Sequence, residues 1–227
     1  MTSVIKAPVV TIDGPGGAGK GTVAQAVAAQ LGWHFLDSGA IYRLLALSAQ
    51  RAGIDASQTH ELVAMAHAMK IEFPAVGEQA GQTLLDGEEV SEAIRTERCG
   101  QFASELAAQA PVRQALLERQ RQFRKAPGLV ADGRDMGTVV FADAPVKFFL
   151  TASAEERARR RHNQLMQKGI SANLGDLLKE LEARDARDSE RTVAPLVPAE
   201  DAMTVDTTDL SAEAVIKKVL KAATDCV

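Results

Sequence analysis

Nine consecutive residues, Gly14-Pro15-Gly16-Gly17-Ala18-Gly19-Lys20-Gly21-Thr22, carry the clearest chemistry in the chain. Glycines adopt backbone torsions closed to other residues, so successive N–H groups can converge on one anion. Lys20 adds a full charge with the reach to touch terminal phosphates. The apolar run Pro8 to Asp13 comes before and an Ala-rich stretch after, so the order reads strand, glycine loop, helix. The helix aims its positive end at the same anion. A purely structural turn is the plainer reading, but four glycines in six residues ahead of a lysine exceed what a turn needs. The segment reads as a phosphate-binding loop. It departs from the general pattern in one place: Gly21 stands where Ser or Thr usually follows the lysine, with Thr22 one position later.

Three further constellations carry charge. Asp37-Ser38-Gly39-Ala40-Ile41-Tyr42-Arg43 offers two hydrogen-bonding side chains and, one helical turn on, an arginine. Asp37 or Ser38 would serve equally as a helix N-cap with Arg43 in solvent. Asp132-Gly133-Arg134-Asp135-Met136-Gly137-Thr138 alternates acid and arginine in a glycine-bearing loop that offers little for packing. A guanidinium fork suits phosphate and a carboxylate accepts from an amino group, although an internal Arg–Asp pair is the plainer use. Arg157, Arg159, Arg160 and Arg161 crowd one helix, and Arg184, Asp188 and Arg191 would form a stripe if their helix persists. Glu155 with Arg159 and Glu156 with Arg160 would make an exposed, salt-bridged helix. Magnitude favours a further use. Two unit charges on phosphates 4 Å apart repel by about 4 kcal/mol at an effective dielectric of 20. A site that brings the phosphates of two nucleotides together needs several fixed cations as well as magnesium.

These groups need a scaffold. Short apolar runs at 8–13, 33–36, 129–132, 146–150 and 203–206 suit parallel strands covered on both faces. The glycine loop, Asp37-Ser38, Asp132 to Asp135 and a helix beginning at Ser153 each come directly after such a run. In a parallel sheet those ends share one edge. Helices are expected over 23–31, 41–51, 59–69, 92–108, 112–124, 153–167, 174–188 and 211–223. Ser153 and Glu156 supply a capping box, and Gly32, Gly169, Pro195 and Pro198 act as stops. Lys168 to Ser171 reads as a hinge between two of the helices. Between about 59 and 105 the pattern changes. Ile71-Glu72-Phe73 and Gln82 to Val90, with Asp86-Gly87 between Leu84-Leu85 and Glu88-Glu89-Val90, read as a small hairpin sheet inserted into the α/β pattern.

Composition bounds the class. The chain has 227 residues, enough for one α/β domain with insertions. Its 46% apolar and 25% charged content is that of a soluble globular protein. No window approaches the ~18 apolar residues of a membrane span, and Pro8 and Asp13 interrupt the only early apolar stretch, against a secretory signal. Cys99 and Cys226, the two cysteines, lack metal-type spacing and read as reduced thiols of a cytoplasmic protein. The net charge is −4, and residues 155–191 hold nine Lys or Arg against eight Asp or Glu, a poor nucleic-acid patch. A guanine-type Asn-Lys-x-Asp motif is absent, since Asn163 and Asn173 precede Gln164 and Leu174. The mixed surface, with no long apolar stripe, leans towards a monomer.

Taken together, the chain resembles the bacterial cytidylate kinases, a branch of the P-loop nucleoside-monophosphate kinases. The resemblance runs nearly end to end and rests on Gly14 to Thr22, Asp37 to Arg43, Asp132 to Thr138, and Arg184 to Arg191 with Ala194-Pro195-Leu196. It implies an α/β P-loop kinase fold: a parallel five-stranded core sheet flanked by helices (about 1–58, 106–152 and 192–227), a small mixed α/β monophosphate-binding insertion (about 59–105) and a helical lid (about 153–191). It implies transfer of the ATP γ-phosphoryl group to CMP or dCMP with Mg2+, by a lid-closed, in-line reaction. By the same resemblance Gly14, Pro15, Gly16, Gly17, Ala18, Gly19, Lys20, Gly21 and Thr22 bind ATP. Ser38, Arg113 and Asp135 resemble the cytosine-reading group. Arg43, Arg134 and Arg191 would hold the acceptor phosphate, and Ser104, Arg184 and Asp188 the sugar. Arg160 is the lid arginine expected at the transferring group. Lys20, Arg134, Arg160 and Arg191 make up the catalytic set, and Thr22 or Asp132 would meet the metal, through water. Another P-loop nucleoside-monophosphate or small-metabolite kinase, with UMP, AMP or shikimate as acceptor, is the alternative.

Overall fold

The structure is a computed structural model and describes residues 6–225, so Cys226 lies outside the described residues. From the N-terminal side the elements are β1 (Val9–Asp13), α1 (Lys20–Leu31), β2 (His34–Asp37), α2 (Ser38–Ala52), α3 (Thr59–Ala68), β3 (Ile71–Glu72), β4 (Leu84–Leu85), β5 (Glu88–Glu89), α4 (Glu97–Ala107), α5 (Ala110–Arg121), β6 (Leu129–Gly133), β7 (Val146–Thr151), α6 (Ala154–Gln167), α7 (Leu174–Ser189), β8 (Met203–Asp206) and α8 (Ala212–Asp225). The main sheet has five strands in the order β2-β6-β1-β7-β8. β1 and β6 are buried from end to end, which is why both read as mostly apolar runs leading to an acid, Asp13 and Asp132.

The chain divides into two compact units. The first comprises residues up to Val9 together with Ala28–Ala131. Here α2 packs on α4 and α3 on α5. The expected hairpin is present: β3, β4 and β5 form an antiparallel sheet, and Asp86 (φ 53°) and Gly87 (φ 85°) take the left-handed conformations of a tight two-residue turn. Cys99 is a buried free thiol. The second unit comprises Val10–Val27 and Asp132–Val227. In it β1, β7 and β8 are mutually parallel, with Ile12 beside Phe148 and Leu150 beside Val205. α6 and α7 pack on each other, yet α7 contains no buried residue.

Four local expectations are corrected. The helix expected over 92–108 is broken at Thr96, whose extended backbone and side-chain bond from Cys99 N start α4 afresh after a single tight turn at Ala93–Arg95. A threonine N-cap there outweighs continued helical pattern. α2 begins at Ser38, ahead of Ile41, because the Asp37 carboxylate accepts Ala40 N at 2.8 Å. Only half of the Ser153 capping box forms: Ser153 Oγ accepts Glu156 N at 3.2 Å, while the Glu156 carboxylate takes Arg159 and Arg160 instead. α7 stops at Ser189, so Arg191 lies beyond the helix and the stripe with Arg184 and Asp188 is not a helical one.

Candidate active site

In the second unit the phosphate loop leaves β1 at Gly14. A Cβ there would lie 1.9 Å from Leu150 O, and with φ at 143° only glycine fits. The α1 helix then begins at Lys20. The Lys20 side chain is buried and turned back over the loop, with Nζ donating to Pro15 O at 2.9 Å and lying 3.9 Å from Asp132 Oδ1. Burial, and then the Arg134 charge, lowers its pKa to about 8, against the pull of Asp132. Asp132 Oδ2 stands 3.3 Å from where a Cβ on Gly21 would be. The missing side chain at 21 therefore makes room for a carboxylate beside the loop.

A cluster of cations surrounds one acid. Arg134 Nε donates to Asp188 Oδ2 at 2.9 Å, Arg191 Nη1 lies 3.9 Å from Asp188 Oδ1, and Arg191 Nε donates to Asp188 O at 3.3 Å. The tips of Arg134 and Arg184 converge on Gly16, at 3.7 and 3.9 Å from its Cβ position. Burial would raise the Asp188 pKa, but Arg134, Arg184 and Arg191 outweigh it and hold the carboxyl below its ordinary range. Arg191 thus joins the set despite leaving the helix.

Arg134 and Asp135 are positioned by a contact that the sequence reading missed. Asp13, at the end of β1, accepts Met136 N at 2.9 Å and Gly137 N at 2.8 Å. These amides belong to a wide helical turn at Met136–Val140 whose first carbonyl, Asp135 O, accepts Val139 N and Val140 N. The only sequence signal was an acid ending an otherwise apolar strand. Burial raises the Asp13 pKa to about 6, against the two amides. Asp135 itself is buried. Arg160 is held beside the loop on its other flank: Nε donates to Glu156 and Nη1 to Thr207 Oγ1 at 3.1 Å, while Thr207 Oγ1 donates to Ala18 O. Thr22 is exposed on the first turn of α1.

The first unit holds the other expected residues. Ser38 is buried and donates to Gln120 Oε1 at 2.8 Å, a partner absent from the sequence reading. Arg43 Nη1 donates to Ile94 O at 2.8 Å, and its guanidinium lies over Gly100, where a Cβ would sit 2.8 Å from Nη2. Ser104 Oγ donates to Gly100 O at 3.1 Å, one turn along the same helix. Arg113 donates to Ala107 O, and its guanidinium carbon lies 5.8 Å from the centre of the Tyr42 ring.

A glycine loop between a parallel strand and a helix, with buried lysine and converging arginines, defines a P-loop phosphotransferase of the kinase type. The particular family follows from comparison. The family model for cytidylate kinase matches residues 10–225. The chain is 56% identical to a cytidylate kinase of Stutzerimonas stutzeri over 219 residues, covering 96% of each chain. It is 57% identical to a cytidylate kinase of Colwellia psychrerythraea, covering 94% of each, and 56% identical to one of Pseudomonas aeruginosa. This chain belongs to the cytidylate kinase family and is an ATP-dependent phosphotransferase.

Proposed function

We propose that the chain transfers the γ-phosphoryl group of ATP directly to CMP or dCMP, giving ADP and CDP or dCDP. The observation that carries this reading is the set of Lys20, Arg134, Arg184 and Arg191 gathered about the phosphate loop with the carboxylates of Asp132 and Asp188. Such an excess of fixed cations suits several phosphates at once. A monophosphate oxygen is already an anionic nucleophile, so the reaction needs no general base. Alignment, neutralisation of charge and exclusion of water do the work.

In this reading Lys20 and the loop amides hold the ATP phosphates. Arg43, Arg134 and Arg191 hold the acceptor phosphate, and Arg160 meets the transferring group. Asp135 accepts from the cytosine amino group, with Ser38 and Arg113 completing the base site and Ser104, Arg184 and Asp188 holding the sugar. The burial of Ser38 and Asp135 supports their use as readers, since a buried polar group discriminates more strongly than an exposed one. Asp188 keeps the arginines gathered before nucleotide arrives.

Oxygen donors beside the loop fit magnesium. The Asp132 carboxylate stands next to Gly21, and the Thr22 hydroxyl lies one residue on. Among the described residues no group of three or more His, Cys, Asp or Glu is arranged to hold a metal ion. Magnesium ordinarily keeps waters and takes phosphate oxygens alongside one or two carboxylates, so Asp132 and Thr22 would hold it through water. When bound, the ion neutralises charge on the β and γ phosphates.

Residues 59–105 then act as the acceptor-binding insertion and 153–191 as a lid that closes on the nucleotides. The protein works as a cytoplasmic monomer. Among the described residues no helix is long and apolar enough to cross a membrane. An assay of ADP release with each acceptor in turn tests the reading: CMP and dCMP should outrun UMP, AMP and shikimate, and a faster rate with AMP or shikimate would contradict it.

A further inference from the structure

Arg157 is the one member of the arginine cluster on α6 that is buried, with 5% of its surface exposed. All three of its guanidinium nitrogens are engaged, each on a different segment. Nε donates to Ala152 O at 3.0 Å, at the end of β7. Nη1 donates to Gly16 O at 3.1 Å, in the phosphate loop. Nη2 pairs with Asp185 Oδ2 on α7 at 2.6 Å. The loop is shaped to admit this side chain: a Cβ on Gly17 would come within 3.0 Å of Arg157 Cβ.

The bond to Gly16 O bears on the amides that meet phosphate. In a planar trans peptide the carbonyl and the following N–H point in opposite directions. Pinning Gly16 O on Arg157 therefore turns Gly17 N–H to the other side of that peptide. Lys20 does the same one residue earlier by holding Pro15 O, which fixes the direction of Gly16 N–H. Two consecutive loop peptides are thus oriented by two buried cations.

The far end of the same guanidinium is tied to α7. That helix contains no fully buried residue, and its leucines Leu177, Leu178 and Leu181 are only half-buried, so its apolar anchoring is partial. Its inward face is held by two ion pairs, Asp185 with Arg157 and Asp188 with Arg134. We propose that Arg157 is a positioning residue that couples the seating of α7 to the orientation of the phosphate-loop amides, so that closing the lid and gripping the nucleotide phosphates are one event. The inference rests on the loop being the ATP site, and it leaves the identity of the acceptor aside.

Direct binding of ADP and of ATP, measured by calorimetry on the full chain without acceptor, tests the coupling and is independent of whether CMP is the substrate. Arg157→Lys keeps the charge but cannot span three acceptors. Asp185→Asn removes the tie to α7 and leaves the loop contact in place. Each should weaken nucleotide binding by about tenfold or more, the loss of one charge-assisted hydrogen bond. Combined, they should cost less than the product of the two, because both break one linkage. Glu182→Gln, on the exposed side of α7, should leave affinity unchanged. A purely structural role for Arg157 would lower the melting temperature with nucleotide affinity intact, and that result overturns the proposal, as would fully multiplicative losses. If Arg157→Lys does not fold, Asp185→Asn alone decides: wild-type affinity in that variant refutes the coupling.

Discussion

Lys20 should take up a proton when ATP binds. Its ammonium is buried against Pro15 O with Asp132 near and Arg134 opposing it, and its pKa falls to about 8. The folded pKa is thus depressed below the ordinary lysine value. The nucleotide-free protein carries the cost of the buried charge, about 3 kcal/mol, at all pH values below about 8, and is relieved of it as pH rises towards 10.5. A phosphate charge placed 4 Å from Nζ returns about 4 kcal/mol at an effective dielectric of 20, enough to restore full protonation well above pH 9. Proton uptake per nucleotide bound should then be about 0.1 at pH 7, about 0.5 at pH 8 and about 0.9 at pH 9. Calorimetry in buffers of different ionisation enthalpy measures this directly, as the slope of observed binding enthalpy against buffer enthalpy. Lys20→Arg keeps a charge that does not titrate in this range, so its slope should be near zero at every pH. A wild-type slope of zero at both pH 8 and pH 9 would refute the reasoning, because it would mean that the phosphates do not meet Lys20 or that the lysine is already fully charged.

Three other outcomes are expected. Arg191→Ala should lower turnover by well over tenfold, in line with loss of a transition-state charge contact, and steady-state rates at saturating substrates check this. Gly100→Ala should fold normally, because the atoms its Cβ meets are the far end of a long side chain, that of Arg43, yet it should raise the acceptor KM by about tenfold with the KM for ATP unmoved. Equal changes in both constants would remove Arg43 from the acceptor site. Asp13 has a folded pKa of about 6, above its ordinary 3.8, so its contribution to stability is full below about pH 4 and is lost as pH rises through 6. The stability difference between wild type and Asp13→Asn should therefore shrink by about 3 kcal/mol between those limits in urea titrations, and a constant difference would count against it.

Much of the fold could be read from local pattern, because the decisive elements carry strong local signals. β1 and β6 are mostly apolar runs, Asp86-Gly87 has the residues for a left-handed turn, and the glycine loop is its own signature. What escaped depends on contacts distant in sequence. Arg157 is indistinguishable in type from Arg159 and Arg161, and its burial follows from two glycines in the loop and an aspartate on α7. The wide turn at Met136–Val140 exists because Asp13, more than a hundred residues earlier, accepts its amides. Gln120 likewise reads as an ordinary helical glutamine until Ser38 is placed against it. A helix end went astray where a side chain competed with the pattern, as at Thr96, whereas the N-cap offered at Asp37 is the one that forms.

The central claim is that the loop holds ATP while Asp135 and its partners select cytosine. A single competition measures it most directly: γ-labelled ATP and magnesium with equal CMP, dCMP, UMP and AMP in one reaction, for wild type and Asp135→Ala. Wild type should place the label in CDP and dCDP, and Asp135→Ala should bring UDP up towards CDP while the KM for ATP stays near its original value. Label collected chiefly in ADP formed from AMP, or an unchanged CDP-to-UDP ratio in Asp135→Ala, would contradict the account.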